Sequence, residues 1–77
     1  MQKQLLSESD LAAVAERFRR QAGKTRAQAA RDMGVSWPSL FHAEESPEQA
    51  LTKLRMRMIA AYSPFAVVGP VFYLKRK

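Results

Sequence analysis

Six cationic side chains, Arg17, Arg19, Arg20, Lys24, Arg26 and Arg31, fall within residues 17–31, and no acid interrupts them. Cations at that density suit a polyanion, because each phosphate they neutralise releases condensed counterions. A second basic run, Lys75-Arg76-Lys77, follows at the other end of the sequence, and the formal charge is +6 from 13 Lys plus Arg against 7 Asp plus Glu. Solvated helix faces and a solubilising tail would account for the same charges, so charge alone does not choose between these readings. The rest of the reactive inventory is thin. There is no cysteine and a single histidine, His42. Disulfides and thiolate metal sites are therefore excluded, and no metal centre or cofactor is expected. Glu44, Glu45 and Glu48 cluster around a helix end rather than facing one another across a cleft, and no glycine-rich phosphate loop is present. An enzyme is not expected.

The cations need scaffolding, and 77 residues supply one small core. Ser7 or Ser9 starts a first helix whose buried stripe is Leu11, Val14, Ala15, Phe18 and Ala22. Gly23 follows as a left-handed helix end. Thr25 then caps a short second helix, about Arg26 to Met33, with Gln28 completing a capping box and Ala29, Ala30 and Met33 turned inward. Gly34-Val35-Ser36 is a tight link: glycine for positive φ, valine for the core, serine as the next cap. The third helix opens on Trp37-Pro38, where proline is tolerated because a first-turn N–H has no intrahelical partner. Leu40 and Ala43 face inward, and Trp37, Pro38, Phe41 and His42 face the other way. Ser46-Pro47-Glu48-Gln49 reads as the capped start of a fourth helix running to about Ala61, with Leu51, Leu54, Met58 and Ile59 inward and Lys53, Arg55 and Arg57 outward. Met33, Met56 and Met58 are core or helix-face fillers.

The stretch Thr25-Arg-Ala-Gln-Ala-Ala-Arg-Asp-Met-Gly-Val-Ser-Trp-Pro-Ser-Leu-Phe-His-Ala-Glu44 resembles the helix-turn-helix of the phage-repressor, or Cro/XRE, family. The likeness rests on Thr25, Ala30, Gly34, Val35, Ser36, Leu40, Ala43 and Glu44 and extends over about residues 11 to 60. It implies a mainly α fold: a four- or five-helix repressor-like domain with a C-terminal β-strand segment. It also implies a sequence-specific regulator of transcription, a repressor by expectation, binding double-stranded DNA at a palindromic operator. The recognition helix would be Trp37–Glu45, lying in the major groove. In the family's pattern Arg26 stands where glutamine is usual and would contact a phosphate, with Lys24 and Thr25 beside it; Arg31 is a weaker candidate. Ser36, Trp37, Pro38, Ser39 and His42 take the groove-facing positions. Arg19 and Glu44 match a structural ion pair between the first and third helices. The departure from pattern is Trp37, where a polar side chain is usual. Its indole could touch thymine methyls or stack on Phe41 one turn later, which leaves hydrogen-bonded readout to Ser39 and His42.

The last stretch, residues 65–74, is rich in β-branched and aromatic side chains and reads as extended. Gly69-Pro70 does not suit a two-residue hairpin turn, since proline cannot adopt the positive φ required. One extended segment kinked at Pro70 is therefore preferred over an intrachain hairpin. Phe65, Val67, Val68, Val71, Phe72, Tyr73 and Leu74 would then pair with a second copy to make a homodimer. The expected division is residues 1–62 for DNA binding and 63–77 for dimerisation. The alternative is an antitoxin-like or protein-interaction module, in which this segment binds a toxin or other protein, or in which the Trp37 and Phe41 patch is covered by a partner. No apolar run reaches the roughly 20 residues of a membrane span. The first six residues lack a signal-peptide core, so a bacterial or phage-type cytoplasmic protein is the expectation.

Overall fold

A computed structural model describes residues 5–69 and 71–77; the sequence reading of residues 1–4 and the kink expected at Pro70 lie outside them. Four helices and a two-stranded antiparallel hairpin make up the described fold: α1 Glu8–Gln21, α2 Arg26–Met33, α3 Trp37–Glu45, α4 Thr52–Tyr62, β1 Phe65–Val68 and β2 Tyr73–Arg76. Each of the first three helices starts where a side chain meets its orphan amides. Ser7 Oγ accepts from Asp10 N while Asp10 returns the bond to Ser7 N. Thr25 and Gln28 do the same for α2, and Ser36 Oγ accepts from Ser39 N at the start of α3. Gly34 closes α2 at φ 69° and ψ 35°, a left-handed geometry that residues with a side chain rarely adopt.

One apolar cluster joins all of these elements. Leu11 and Ala15 of α1, Ala29, Ala30 and Met33 of α2, Leu40 and Ala43 of α3, Leu54, Met58 and Ile59 of α4, and Val67 of β1 make it up. Ala22, expected on the buried stripe, is exposed, because α1 ends one residue earlier and Ala22 serves as its C-cap. No helix among the described residues is long and apolar enough to cross a membrane.

Two further expectations need correction. The sequence places the start of the fourth helix at Ser46, but residues 46–51 form turns and α4 begins at Thr52. The Ser46 hydroxyl that a cap would use lies 2.8 Å from His42 Nδ1 instead. The carbonyls of Ser46 and Gln49 are drawn sideways onto the Arg55 guanidinium. The C-terminal segment is also not a single strand. It folds back as a hairpin in the register Phe65↔Arg76, Ala66↔Lys75, Val67↔Leu74 and Val68↔Tyr73. The objection to Gly69-Pro70 applies to a two-residue turn, whereas residues 69–72 form a four-residue connection, a length at which hairpins are also common. Folding back gives the apolar side chains partners at home. Val67 enters the core, Phe72 and Leu74 pack against it, and the Phe65 ring lies 6.0 Å from that of Phe18. Leu6 N donates to Phe72 O at 2.8 Å, tying the hairpin connection to the segment before α1.

Candidate nucleic-acid interface

The α2–turn–α3 unit is too small to hold its own geometry by burial, so polar groups behind it matter. Arg19, buried on α1, grips Glu44 of α3 through two bonds, Nε to Oε2 at 2.6 Å and Nη2 to Oε1 at 3.1 Å. Its remaining nitrogen, Nη1, donates to Lys24 O at 2.7 Å. One guanidinium therefore fixes α3 and the entry to α2 together. A planar fork meeting a carboxylate in two places also sets orientation, which a single contact would not. The Glu44 side chain is fully buried (0% exposed), so this charge depends on its arginines.

Arg26 completes the arrangement. It donates to Glu44 at 2.8 Å, to Glu45 at 2.5 Å and to Glu16 at 3.3 Å. Its guanidinium carbon sits 5.0 Å from the centroid of the Phe41 ring. Burial opposes its charge, but the bonds and negative charge of Glu44 and Glu45 prevail, and its pKa is raised above the ordinary arginine value. The side chain that the sequence assigns to a phosphate thus spends its donors on three carboxylates of its own chain. Arg20, also in the basic run, is 3.0 Å from Glu16. Glu16, Glu44 and Glu45 are answered by Arg19, Arg20 and Arg26, and this junction is electrically balanced. The acid-free run in sequence is not an acid-free surface in space.

The outward side of α3 is different. Trp37 is 48% exposed, and Pro38 is also exposed. Of the two fates open to Trp37 in sequence, the structure contains the stack: its rings lie 5.3 Å from Phe41 at 21°. Phe41 in turn meets the His42 ring edge-on at 5.4 Å and 80°. Ser36 Oγ donates to Ser39 Oγ at 2.9 Å. The remaining predicted contacts, Lys24 and Thr25, stand at the start of α2, where the Lys24 ammonium lies 3.6 Å from Asp32, both side chains 41% exposed. Lys24, Thr25, Ser36, Trp37, Pro38, Ser39 and His42 are thus borne by the two helices and by the short links that precede them, while Arg26 is turned into the junction behind.

Sequence reasoning missed three side chains that hold this unit. Arg55, expected in solvent, is fully buried. It donates to Ala43 O at 2.8 Å, Ser46 O at 2.8 Å, Gln49 O at 3.0 Å and Glu8 Oε1 at 2.8 Å. Its position was legible: residues 51, 54, 55, 58, 59 and 62 recur at one helical period, and Arg55 falls inside that stripe. Arg57 is exposed yet donates to Met33 O at 2.8 Å, closing the C-terminal end of α2 where a cation meets the negative end of the helix dipole. Tyr62 donates to Asp32 at 2.6 Å. That bond is the main reason the Asp32 carboxyl is held below its usual range, with Lys24 adding to it; burial first, and then Asp32, push the Tyr62 phenol up. Nothing in the sequence spacing signals this pair, which lies thirty residues apart. Among the described residues, no three of His, Cys, Asp and Glu gather as a metal site would require.

Comparison with known proteins finds no family model, no curated protein and no solved structure that matches the chain.

Proposed function

We propose that this protein is a helix-turn-helix DNA-binding regulator of the repressor-like kind, and that α3 is its recognition helix. The observation that carries the reading is the two-sidedness of α3. Leu40, Ala43 and Glu44 are locked behind it, while Trp37 and Pro38 stand exposed at its N-terminal end. A helix fixed from behind and bare in front, entered through a left-handed glycine and a serine cap, fits a groove about 12 Å wide. Phosphates are met by Lys24, Thr25 and the free amides of the first turn of α2, with Arg31 as a further cation. Arg26 works from behind, by holding Glu44, Glu45 and Phe41 in place. The protein binds a palindromic site as a homodimer, with two recognition helices about 34 Å apart. The hairpin supplies the dimer contact, with Val71, which is 58% exposed, on its connection.

The test is titration of the full chain against genomic fragments at about 0.15 M salt. A small set of fragments bound at least about 10³-fold more tightly than random DNA is the expected result. Uniform binding of all fragments overturns sequence specificity, and the absence of salt-dependent binding overturns the DNA-binding reading. Sedimentation of the free chain tests the dimer separately.

A further inference from the structure

Resting on the DNA-binding reading, we propose that the Trp37–Phe41 stack reads the C5-methyl groups of thymine, so that target choice follows the methyl pattern of the major groove more than its hydrogen bonds. Three observations lead there. The indole is held against Phe41 at 5.3 Å and 21°. Phe41 is held in turn by the Arg26 guanidinium at 5.0 Å and by the edge of His42. The exposed half of the indole is therefore a preset apolar surface rather than a swinging side chain, and Pro38 extends it. Second, the polar groups around it are largely engaged. Ser36 Oγ accepts from Ser39 N and donates to Ser39 Oγ, and His42 Nδ1 is taken by Ser46. That leaves the Ser39 hydroxyl proton, His42 Nε2 and the indole N–H as outlets for base recognition. Third, the thymine methyl is the one apolar group that a base pair of ordinary DNA presents in the major groove.

Charge favours a nucleic acid over a protein as the occupant. Glu44 and Glu45, on the same helix as the stack, are answered by Arg19 and Arg26, and among the described residues Lys53 pairs with no carboxylate. A platform built for a protein would be indifferent to a methyl group on DNA, and that difference is measurable.

The probe is a random-core duplex pool enriched on the immobilised full chain, then copied either with thymidine or with deoxyuridine, which lacks only the methyl. The expected result is weaker binding of the uracil copy by about four-fold for each methyl contacted, the ~0.8 kcal/mol of a buried methyl group at 1.4 kcal/mol per tenfold. Trp37→Ala should bring the two copies to the same affinity. Trp37→Phe, which keeps a ring on Phe41, should keep part of the difference. Equal affinity of the wild-type chain for both copies overturns the methyl proposal while leaving DNA binding intact. Failure to enrich any duplex overturns the functional reading itself, and the two failures cannot be confused.

Discussion

Arg19 and Arg55 are both buried guanidinium groups that tie separate segments together, and they are answered in different ways. Arg19 meets a fully buried carboxylate, and the charge is cancelled within a network that Arg26, Glu16 and Glu45 complete. Arg55 meets three backbone carbonyls and the carboxylate of Glu8, itself partly exposed and also bonded by Thr52 Oγ1 at 2.8 Å. The first arrangement orients a helix: it decides which face of α3 turns outward. The second shapes a path, because it gathers onto one side chain the carbonyls of residues 43, 46 and 49, where α3 ends and the chain turns before α4. The same residue type thus orients a helix in one region and routes the chain in the other.

The comparison is broken most severely at Arg55. Arg55→Met removes the donor to the Ala43 carbonyl and to Glu8 Oε1 and leaves the Ser46 and Gln49 carbonyls with only their backbone partners, Gln49 N and Leu51 N, and a loss of about 3–5 kcal/mol is expected. A chain of this length has about 4–12 kcal/mol in all, so the variant should be near the edge of folding. Arg55→Lys should recover little, because one ammonium cannot span acceptors on both sides of the turn. Urea unfolding decides this, and a loss below about 1 kcal/mol would show that the loop finds other donors. Glu44→Gln comes next, at about 3 kcal/mol, since the buried Arg19 then faces only the more distant Glu16, at 4.0 Å, among the described carboxylates. Arg19→Met combined with Glu44→Leu should cost less than Glu44→Gln alone, because neither member of the pair is then left buried and charged. If the double variant is the worse of the two, the pair contributes net stability and not only orientation.

The two regions also differed in how far they could be read in advance. The caps Ser7, Thr25 and Ser36, the turns at Gly23 and Gly34 and the inward residues Ala29, Ala30, Leu40 and Ala43 follow from local rules, and they place the α2–α3 unit correctly. Arg19 and Glu44 were reached through a likeness to known sequences, since nothing local pairs residues twenty-five apart. The charge of Arg55 argues for solvent while its helical period places it in the inward stripe, and in the structure the period prevails. The cap signature at Ser46 and Pro47 is local, whereas the structure commits the Ser46 hydroxyl to His42 and the Ser46 and Gln49 carbonyls to Arg55, contacts outside that four-residue signature. Arg26 shows the opposite limit. Its type and position suit a phosphate, but the three acids it meets lie ten to nineteen residues away, beyond what a local window can see.

Smaller effects sharpen the contrast between holding the unit and merely stabilising the chain. Gly23 and Gly34 have nearly the same φ, 73° and 69°, and a Cβ at either would meet nothing within 4 Å. Alanine at either should therefore cost only the left-handed backbone penalty, about 1–2 kcal/mol. Thermal unfolding should rank the two variants together. DNA affinity should separate them, because Gly34 sets the crossing of α2 and α3 whereas Gly23 only ends α1. Equal loss of affinity in both would mean that α1 and not the α2–α3 turn governs the presented surface.

The smallest expected effect is at the Asp32–Tyr62 bond, and its pH dependence identifies it. The folded-state pKa of Asp32 is depressed, so its contribution is present above the ordinary carboxylate value near 3.9 and is lost as pH falls through the folded value. The pKa of Tyr62 is raised, so its contribution is complete below the ordinary phenol value near 10 and is lost as pH climbs toward the folded one. Tyr62→Phe should then lower the unfolding midpoint by a constant amount from about pH 5 to pH 9, with the gap to wild type closing on both sides. The alkaline limb should vanish in the variant, because no phenol remains to ionise. Part of the acid limb should survive through Lys24, which still faces the carboxylate at 3.6 Å. Added salt should erase that residue, since the Lys24 and Asp32 side chains are both well exposed. A gap that persists unchanged below pH 3 would assign the effect to ring packing and not to the bond between α2 and α4.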